Sequence, residues 1–316
     1  MVKATAPGKI ILFGEHAVVY GRPAIAVPLS EVRATAVIQP HPHQEVRLLA
    51  PDLGIDTTLA EAGDQDALAL AVRQVQTAAG LAHLPPMKII VTSDIPIASG
   101  LGSGASITAA IIRALAAQLD LTHLATDHWI SQLTYEVEKV YHGTPSGIDN
   151  TVVAYEQPVY FVRRSPQNII EAFHPARPLR LLVADTGISS STKSVVADVR
   201  RAWQANPERF ERIFDGCAEV ALAGRAAIQS GDLPAIGRLM TQNQALLVEM
   251  TVSSRELDHL VKAAIDAGAL GAKLSGGGRG GNMIALVTAP AEDSVYQALT
   301  RAGARSILHN QIGSAA

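Results

Sequence analysis

Two carboxylates in the middle of the chain have residue types and spacing suited to phosphate chemistry. Glycines and a proline interrupt residues 141–150 and predict an exposed loop that presents Ser146 and Asp149. Glu138 lies about one helical turn before this loop and can point toward the same space. One of the two carboxylates could hold Mg²⁺ together with phosphate oxygens, and the other could orient or deprotonate an attacking hydroxyl. The alternative is a glutamate on a helix surface and an aspartate that forms a turn.

A cation, a carboxylate and an imidazole lie close together near the N-terminus. Lys9 precedes an apolar run, which suggests that it points into a site and pairs with a carboxylate. A lysine beside Asp149 would favour the ionised form of that aspartate. Glu15 and His16 follow a few residues later. Taken singly, each of the three could also be an ordinary residue: an exposed charge, an exposed loop carboxylate and a partly buried histidine.

The first of two glycine-rich loops, residues 99–104, could hold a phosphate group. Glycines allow backbone N–H groups to converge on an anion, and a helix predicted to start near Gly104 would direct its positive end there. Ser103 and Ser106 add hydroxyls. The alternative is a simple tight turn. The loop also matches the dinucleotide-binding pattern, but its surroundings do not fit such a site. That site needs a strand leading directly into the loop and an acidic residue at the end of a later strand. Here Pro96 separates the loop from the preceding strand, and the acidic residue at the required distance ends a helix.

The second glycine-rich loop, residues 276–281, contains five glycines in six residues. A bare turn needs one or two, so the loop predicts a close approach of the backbone either to a ligand or to another loop. Arg279 in this loop could reach a phosphate or face water.

Strand and helix patterns around these residues predict an α+β fold in two lobes. Residues 1–165 would form an N-terminal lobe with the phosphate-binding loop and the catalytic residues, and residues 176–316 a C-terminal lobe with the second loop. The polar, proline-containing residues 163–177 would link them. Apolar periodicity predicts helices over residues 67–79, 105–118, 127–141, 192–204, 207–229, 233–250, 255–267 and 291–302. Strands are predicted over residues 2–13 (broken at Pro7), 32–39, 44–49, 87–92, 158–162, 179–184, 272–274, 282–287 and 305–309.

Composition excludes several classes of protein. Lys plus Arg is 26 and Asp plus Glu is 29, which argues against a nucleic-acid partner. The single cysteine excludes a disulfide scaffold and a cysteine-based zinc site. The apolar stretches are too short to span a membrane, and no signal-peptide pattern opens the chain. We therefore expect a cytoplasmic protein that acts on a small molecule and binds neither nucleic acid nor membrane.

Three blocks of sequence together resemble the GHMP small-molecule kinases. They are residues 6–21 (APGKIILFGEHAVVYG), 96–105 (PIASGLGSGA) and 273–281 (KLSGGGRGG), in this order and spread over essentially the whole chain. Residues 142–150 (HGTPSGIDN) are similar to the mevalonate kinase branch of that family. The resemblance implies an N-terminal lobe like the second domain of ribosomal protein S5 and a ferredoxin-like C-terminal lobe.

The resemblance also implies roles for individual residues. Asp149 would be the catalytic carboxylate, and Lys9 would stabilise it and the developing charge. Glu138 would bind Mg²⁺, with Ser103 as a further ligand. The substrate would contact Glu15, His16, Ser146 and Thr192. ATP would be held by Pro96, Ser99, Gly100, Leu101, Gly102, Ser103, Gly104, Ala105 and Ser106.

The implied activity is transfer of the γ-phosphoryl group of ATP to the primary hydroxyl of mevalonate. The product, 5-phosphomevalonate, is an isoprenoid precursor of the mevalonate pathway, and the resemblance also suggests a homodimer. The alternatives are a family member that acts on homoserine or phosphomevalonate, and a ligand sensor without turnover. The N-terminal motifs contain few basic residues, which favours an unphosphorylated substrate.

The chain departs from the family pattern at two places. Gly104 stands where many members have a second serine that helps to coordinate Mg²⁺, so Ser103, Ser106 or a water molecule would have to replace it. In the third block, Arg279 and Asn282 replace the usual glycine and cysteine.

Overall fold

The structure is a computed structural model that describes residues 1–96, 100–142 and 145–313, with the backbone alone for residues 141 and 142. The chain forms two units that alternate along the sequence. The described part of the first unit comprises residues 1–9, 32–96 and 102–156, and that of the second comprises residues 10–31, 100–101 and 157–313. The second unit therefore contains residues 10–31, which the sequence-based division assigned to the N-terminal lobe.

Two long strands, β1 (Val2–Phe13) and β2 (Pro23–Pro40), each contribute residues to both units. The expected break in β1 at Pro7 was wrong, because the strand continues through it. The torsion angle φ that the proline ring imposes is compatible with an extended backbone. Every residue from Ala6 to Phe13 is buried, so packing on the strand outweighs the local turn signal.

The first unit combines the later part of β2 with three strands and four helices. Its further elements are β3 (Val46–Ala50), β4 (Ile55–Thr58), α1 (Ala67–Ala78), β5 (Met87–Ser93), α2 (Ser103–Gln118), α3 (Asp127–His142) and α4 (Ile148–Tyr155). β5 pairs with β2 in antiparallel and with β3 in parallel orientation, and β3 pairs with β4. α2 contacts α1, α3 and α4. Its almost continuous apolar sequence explains this central position, since such a helix must be covered on most sides.

The second unit contains the remaining strands and helices. These are β6 (Val159–Val162), β7 (Ile169–Ala172), β8 (Leu179–Asp185), α5 (Thr192–Ala205), α6 (Pro207–Ser230), α7 (Leu233–Glu249), α8 (Arg255–Asp266), β9 (Gly271–Ser275), β10 (Asn282–Val287), α9 (Glu292–Arg301) and β11 (Ser306–Ile312). β6 pairs with the first part of β2 and with β7. β7 lies inside the predicted linker, where two β-branched isoleucines favour a strand despite the polar surroundings.

A four-stranded antiparallel sheet in the order β11-β8-β10-β9 forms the framework of the second unit. In chain order these strands occupy positions 4-1-3-2, so the ferredoxin-like lobe is confirmed. Apolar side chains of this sheet and of α5 to α9 form one core, into which Ala17 also packs. The glycine-rich residues 276–281 connect β9 to β10.

Within the described parts of the chain, no helix is long and apolar enough to cross a membrane.

Candidate functional site

An ion pair between Lys9 and Asp149 forms the centre of the candidate site in the first unit. Nζ of Lys9 lies 3.0 Å from Oδ2 of Asp149, as the expected lysine–carboxylate pairing requires. The side chain of Lys9 on β1 is 6% exposed, whereas that of Asp149 is 31% exposed. The ammonium group is thus fixed and shielded from water, which strengthens its attraction for negative charge. The carboxylate remains open to a small molecule.

Asp149 lies on a helix, and the predicted loop at this position was wrong. Gly147 has a φ of +89° and immediately precedes α4, so that Asp149 falls in the first helical turn. A carboxylate is favoured there by the positive end of the helix. The hydroxyl oxygen of Ser146 accepts a hydrogen bond from the N–H group of Ile148 at 3.3 Å. The glycines and the proline indicated a loop, but they provide the sharp turn into this short helix.

Glu138 on α3 carries a buried carboxylate oxygen that lacks a hydrogen-bond partner among the described residues. This atom, Oε2, is inaccessible, and the residue as a whole is 8% exposed. Burial, followed by the negative charge of Asp149, holds the pKa of Glu138 well above its usual range. Lys9 and the backbone N–H group of Asn150 oppose this shift. A buried, unpaired carboxylate beside a second carboxylate fits a bound cation, so the residues present fit Mg²⁺.

In the part of the chain that the structure describes, no three His, Cys, Asp or Glu side chains are grouped to hold a metal ion. A cation beside Glu138 would therefore take most of its oxygen ligands from hydroxyls, water and a bound phosphate group. This ligand set is typical of Mg²⁺ in phosphoryl-transfer sites.

The first glycine-rich loop leads directly into α2. Gly100 and Gly102 have φ values of +77° and +81°, and α2 begins at Ser103. A Cβ atom on Gly102 would lie 2.8 Å from Cγ of Lys9, so glycine is required for this close approach. The N-terminal N–H groups of α2 thus lie near the Lys9–Asp149 pair and can bind an anion there.

The structure distributes the predicted ATP-binding residues unevenly. Ser103 is partly exposed and Gly104 is exposed, whereas Leu101 and Ala105 are buried. Pro96 is the last described residue before this loop. The prediction for Ser99 lies outside the described residues, which resume at Gly100. Leu101 and Ala105 therefore offer little surface to a ligand.

Ser106 is placed differently from the prediction. It is 0% exposed, and its hydroxyl lies 2.6 Å from the carbonyl oxygen of Pro7 and 2.8 Å from that of Gly102. The hydroxyl proton is therefore used to join β1 to the turn before α2. This placement argues against a direct contact of Ser106 with phosphate or Mg²⁺, and Ser103 is left as the candidate hydroxyl.

In the second unit, Glu15 forms an ion pair with Lys273 of β9. Both side chains are 0% exposed. Burial lowers the pKa of Lys273, and the charge of Glu15 opposes this shift. The predicted contact of Glu15 with substrate stays a prediction, since this structure shows the carboxylate engaged by the protein. Sequence reasoning missed Lys273, although a charge within an apolar strand is costly unless it is paired and could have indicated a hidden partner.

His16 is held in a single neutral form. Its Nε2 atom lies 3.0 Å from the carbonyl oxygen of Gly277. Burial lowers the pKa of His16 to about 4, the hydrogen bond to Gly277 opposes this shift, and the charge of Arg279 adds to it. The ring is therefore uncharged at neutral pH, and Nε2 carries the proton because a carbonyl oxygen can only accept. Nδ1 is left as an acceptor.

Thr192 also lies beside Gly277. A Cβ atom on Gly277 would lie 2.7 Å from Oγ1 of Thr192, at the start of α5. The second unit thus brings two of the predicted substrate residues, His16 and Thr192, to the same glycine. Thr192 is exposed, whereas His16 is 6% exposed.

The second glycine-rich loop makes its close approaches to other parts of the protein. Cβ atoms on Gly278 and Gly280 would lie 2.0 Å and 2.5 Å from the carbonyl oxygens of Val252 and Ile188. Of the two predicted alternatives, a close approach to a ligand or to another loop, the approach to another loop therefore explains these two glycines. The side chain of Arg279 forms an ion pair with Asp198 on α5, an arrangement that the sequence reasoning did not consider.

Two buried polar residues on α7, which the sequence reasoning also missed, accept hydrogen bonds from the backbone of two of the three sequence blocks, residues 6–21 and 273–281. Oδ1 of Asn243 accepts a hydrogen bond from the N–H group of Gly14 at 3.4 Å, and Oε1 of Gln244 accepts one from Leu274 at 2.8 Å. On the sequence they resemble ordinary polar residues of an amphipathic helix.

Comparison with known proteins gives matches along the whole chain. Residues 67–157 match the GHMP kinases N terminal domain, and residues 225–305 match the GHMP kinases C terminal domain. Mevalonate kinase of Thermococcus sibiricus is 34% identical, over 97% of this chain and 95% of its own. Mevalonate kinase of Thermococcus gammatolerans is 36% identical, over 96% of this chain and 93% of its own.

Solved structures show the same architecture. The crystal structure of L. major mevalonate kinase in complex with R-mevalonate has 33% sequence identity and a TM-score of 0.83, covering 100% of this chain and 97% of its own. The Methanococcus jannaschii mevalonate kinase has 27% identity and a TM-score of 0.84, covering 99% and 98%. The predicted two-lobed α+β fold is thereby confirmed.

Proposed function

Because this chain belongs to the mevalonate kinase family of the GHMP kinases, we propose that it phosphorylates the primary hydroxyl of mevalonate with ATP. The products are 5-phosphomevalonate and ADP. The ion pair between Lys9 and Asp149 is the observation that carries the proposal, because it places a partly exposed carboxylate beside a shielded cation. The substrate is supported by the L. major relative, which was solved with R-mevalonate.

Asp149 accepts the proton of the substrate hydroxyl as the reaction proceeds. The hydroxyl oxygen forms a bond to the γ-phosphorus, and the bond from that phosphorus to the oxygen bridging it to the β-phosphate breaks. The leaving ADP takes the electron pair of the broken bond. Lys9 stabilises the negative charge of Asp149 and the charge that develops on the transferred group. Little covalent chemistry is required of the protein, so positioning accounts for most of the rate.

The turn at Gly102 and the first N–H groups of α2 bind the phosphate chain of ATP. Gly102 keeps the turn close to Lys9, which brings the bound phosphate near the Lys9–Asp149 pair. The hydroxyl of Ser103 is available on the same turn.

Glu138 and Ser103 would hold Mg²⁺. When bound, this ion neutralises charge on the phosphate oxygens of the nucleotide. Gly104 offers no hydroxyl, so Ser103 and water replace the second serine of the family pattern.

The candidate substrate contacts implied by the resemblance are His16 and Thr192 in the second unit and Ser146 in the first, together with Glu15, which precedes His16 in the chain. The neutral ring of His16 offers Nδ1 as an acceptor for a substrate hydroxyl, and Thr192 offers an exposed hydroxyl. A homodimer and a cytoplasmic location are further expectations from the resemblance and from the sequence.

ADP release by the purified protein from ATP and Mg²⁺ tests this proposal. The panel comprises mevalonate, phosphomevalonate, homoserine and galactose. We expect turnover with mevalonate alone, and Asp149→Asn should lower kcat about 100-fold or more while nucleotide binding is retained. Turnover with another member of the panel would replace the substrate. Nucleotide binding without any turnover would favour a ligand sensor.

A further inference from the structure

Arg279 occupies a backbone conformation that normally selects glycine. Its φ is +56°, in the left-handed region, which is costly for a residue with a Cβ atom. The neighbouring positions of the loop are glycines, so retaining an arginine here requires a compensating contact.

Three contacts fix Arg279 to its surroundings in the second unit. Its backbone N–H group donates to the carbonyl oxygen of Val252 at 2.8 Å, and Nε donates to that of Thr251 at 3.2 Å. Its terminal nitrogen forms an ion pair with Asp198 on α5. The first two contacts join the loop to the turn between α7 and α8, and the third joins it to α5.

Arg279 is the main partner of Asp198. The hydrogen bond from Arg279 is the largest cause that holds the pKa of Asp198 below its usual range. Arg201, on the same helix, also pairs with Asp198, but its side chain is 71% exposed, against 37% for Arg279. A pair that is more shielded from water is the stronger of the two.

The ion pair lies next to the contacts that hold the predicted substrate residues. Gly277, two residues before Arg279, touches Thr192 and accepts the hydrogen bond from His16. Thr192 is within two helical turns of Asp198 on α5. The loop and the helix are thus joined at two points, Gly277 with Thr192 and Arg279 with Asp198.

We propose that Arg279 is a positioning residue whose ion pair with Asp198 fixes the second glycine-rich loop on α5. The ion pair thereby fixes the position of the Gly277 carbonyl group, which orients His16. It also fixes the distance of that carbonyl group from Thr192. The kinetic consequence rests on the proposed function, whereas the effect on His16 does not.

The test uses two variants that break the pair from opposite sides, Arg279→Gln and Asp198→Asn. The matched control is Arg201→Gln, which removes the other arginine from Asp198 and leaves the proposed pair intact. A ¹⁵N NMR spectrum of the histidine rings in the free protein reports which ring nitrogen of His16 carries the proton, and His16→Asn identifies the signal. In the native protein and in the control, Nε2 should carry the proton. In both test variants the signals should move toward an average of the two neutral forms.

Kinetics with mevalonate provide the second readout. We expect KM for mevalonate to rise about three- to fivefold in both test variants, with kcat changed less than about twofold, because a partly exposed ion pair has a modest energy. The charge-exchanged double variant, Arg279→Asp with Asp198→Arg, should restore part of the lost affinity. Aspartate also tolerates the left-handed conformation at position 279.

An unchanged His16 spectrum in Asp198→Asn would overturn the proposal, as would an equal change in the Arg201→Gln control. Absence of mevalonate turnover by the native protein would contradict the proposed function only. The NMR result would still decide whether the ion pair positions His16.

Discussion

Glu138 is the residue whose surroundings most clearly require a further ligand. Its Oε2 atom is buried without a partner among the described residues, and its pKa is raised chiefly by burial and further by the charge of Asp149. We predict that Glu138→Gln raises the Mg²⁺ concentration for half-maximal ADP release about tenfold or more, because a charged ligand is lost. Glu136→Gln is the matched control, since Glu136 is a partly exposed residue on the same helix that pairs with Lys139. An identical Mg²⁺ titration for Glu138→Gln and the native protein would contradict the role.

His16 couples stability to pH with a definite sign. Its pKa falls from 6.5 in the unfolded chain to about 4 in the fold, chiefly through burial. The unfolded chain therefore binds a proton first as the pH falls, and the folded state loses stability between pH 6.5 and about 4. Above pH 6.5 the ring of His16 is neutral in both the folded and the unfolded state, so it adds no pH dependence to the free energy of unfolding.

We predict that His16→Asn removes this part of the pH dependence. Residue 16 has a φ of +60° and a ψ of −48°, and asparagine is among the non-glycine residues most often found at a positive φ. Urea unfolding at pH 8 and pH 4 should show a smaller loss of stability in the variant than in the native protein, by up to about 3 kcal/mol. Parallel losses in the two proteins would show that His16 is not buried in its neutral form.

At the scale of residues, the sequence predicted what types and spacing can show. The position of Lys9 before an apolar run suggested a carboxylate partner, and the resemblance to the GHMP kinases identified that partner as Asp149. The apolar strand around Lys273 indicates that a counter-charge is needed, but not that Glu15 provides it. Nothing in the residues around Asp198 points to Arg279 as its partner. The predicted catalytic and binding roles remain predictions that the experiments above decide.

At the scale of elements, the start of α2 depends on two glycines with different constraints. Gly102 has a φ of +81° and no space for a Cβ atom beside Lys9. Gly104 lies inside the helix, and a Cβ atom there would meet nothing within 4 Å. Only the first position therefore requires glycine for the fold.

We predict that Gly102→Ala lowers the free energy of unfolding by about 1–3 kcal/mol, through backbone strain and collision with Lys9. Displacement of Lys9 from Asp149 should also lower kcat at least about tenfold. Gly104→Ala is the control for stability and should leave the free energy of unfolding unchanged or raise it by up to about 1 kcal/mol. Thermal unfolding measures both variants, and an equal stability of the two would contradict the geometric argument.

The errors in the predicted elements have a common physical cause. Pro7 in β1 and the glycines before α4 are local turn signals whose predicted extent was too wide, since β1 continues through Pro7 and α4 begins directly after Gly147. Long periodic helices such as α2 and α7 were predicted almost to the residue, because their apolar faces repeat over many turns. Short elements such as α4 and β7 offer too few residues for a period to be visible.

At the scale of the whole molecule, a stretch near the N-terminus completes the core of the second unit. The ring of Phe13 lies against Gly224 on α6, where a Cβ atom would approach it to 2.7 Å. Tyr20 stacks on Phe214 with 4.2 Å between ring centroids. Glu15 neutralises the buried Lys273. A division of the chain near residue 165 would remove all three contacts from the C-terminal part.

We therefore predict that residues 157–316 alone do not unfold cooperatively in urea. The fragment would bury Lys273 without a counter-charge, which costs about 3–5 kcal/mol, and would lack the ring of Phe13. Addition of a peptide spanning residues 10–31 should restore a cooperative transition and the near-ultraviolet circular dichroism of packed aromatic rings. The same peptide with Glu15→Gln is the matched control and should bind more weakly, because the charge opposite Lys273 is lost. Cooperative unfolding of the fragment without any peptide would instead support the division predicted from the sequence, with the N-terminal stretch contributing little to the stability of the second unit.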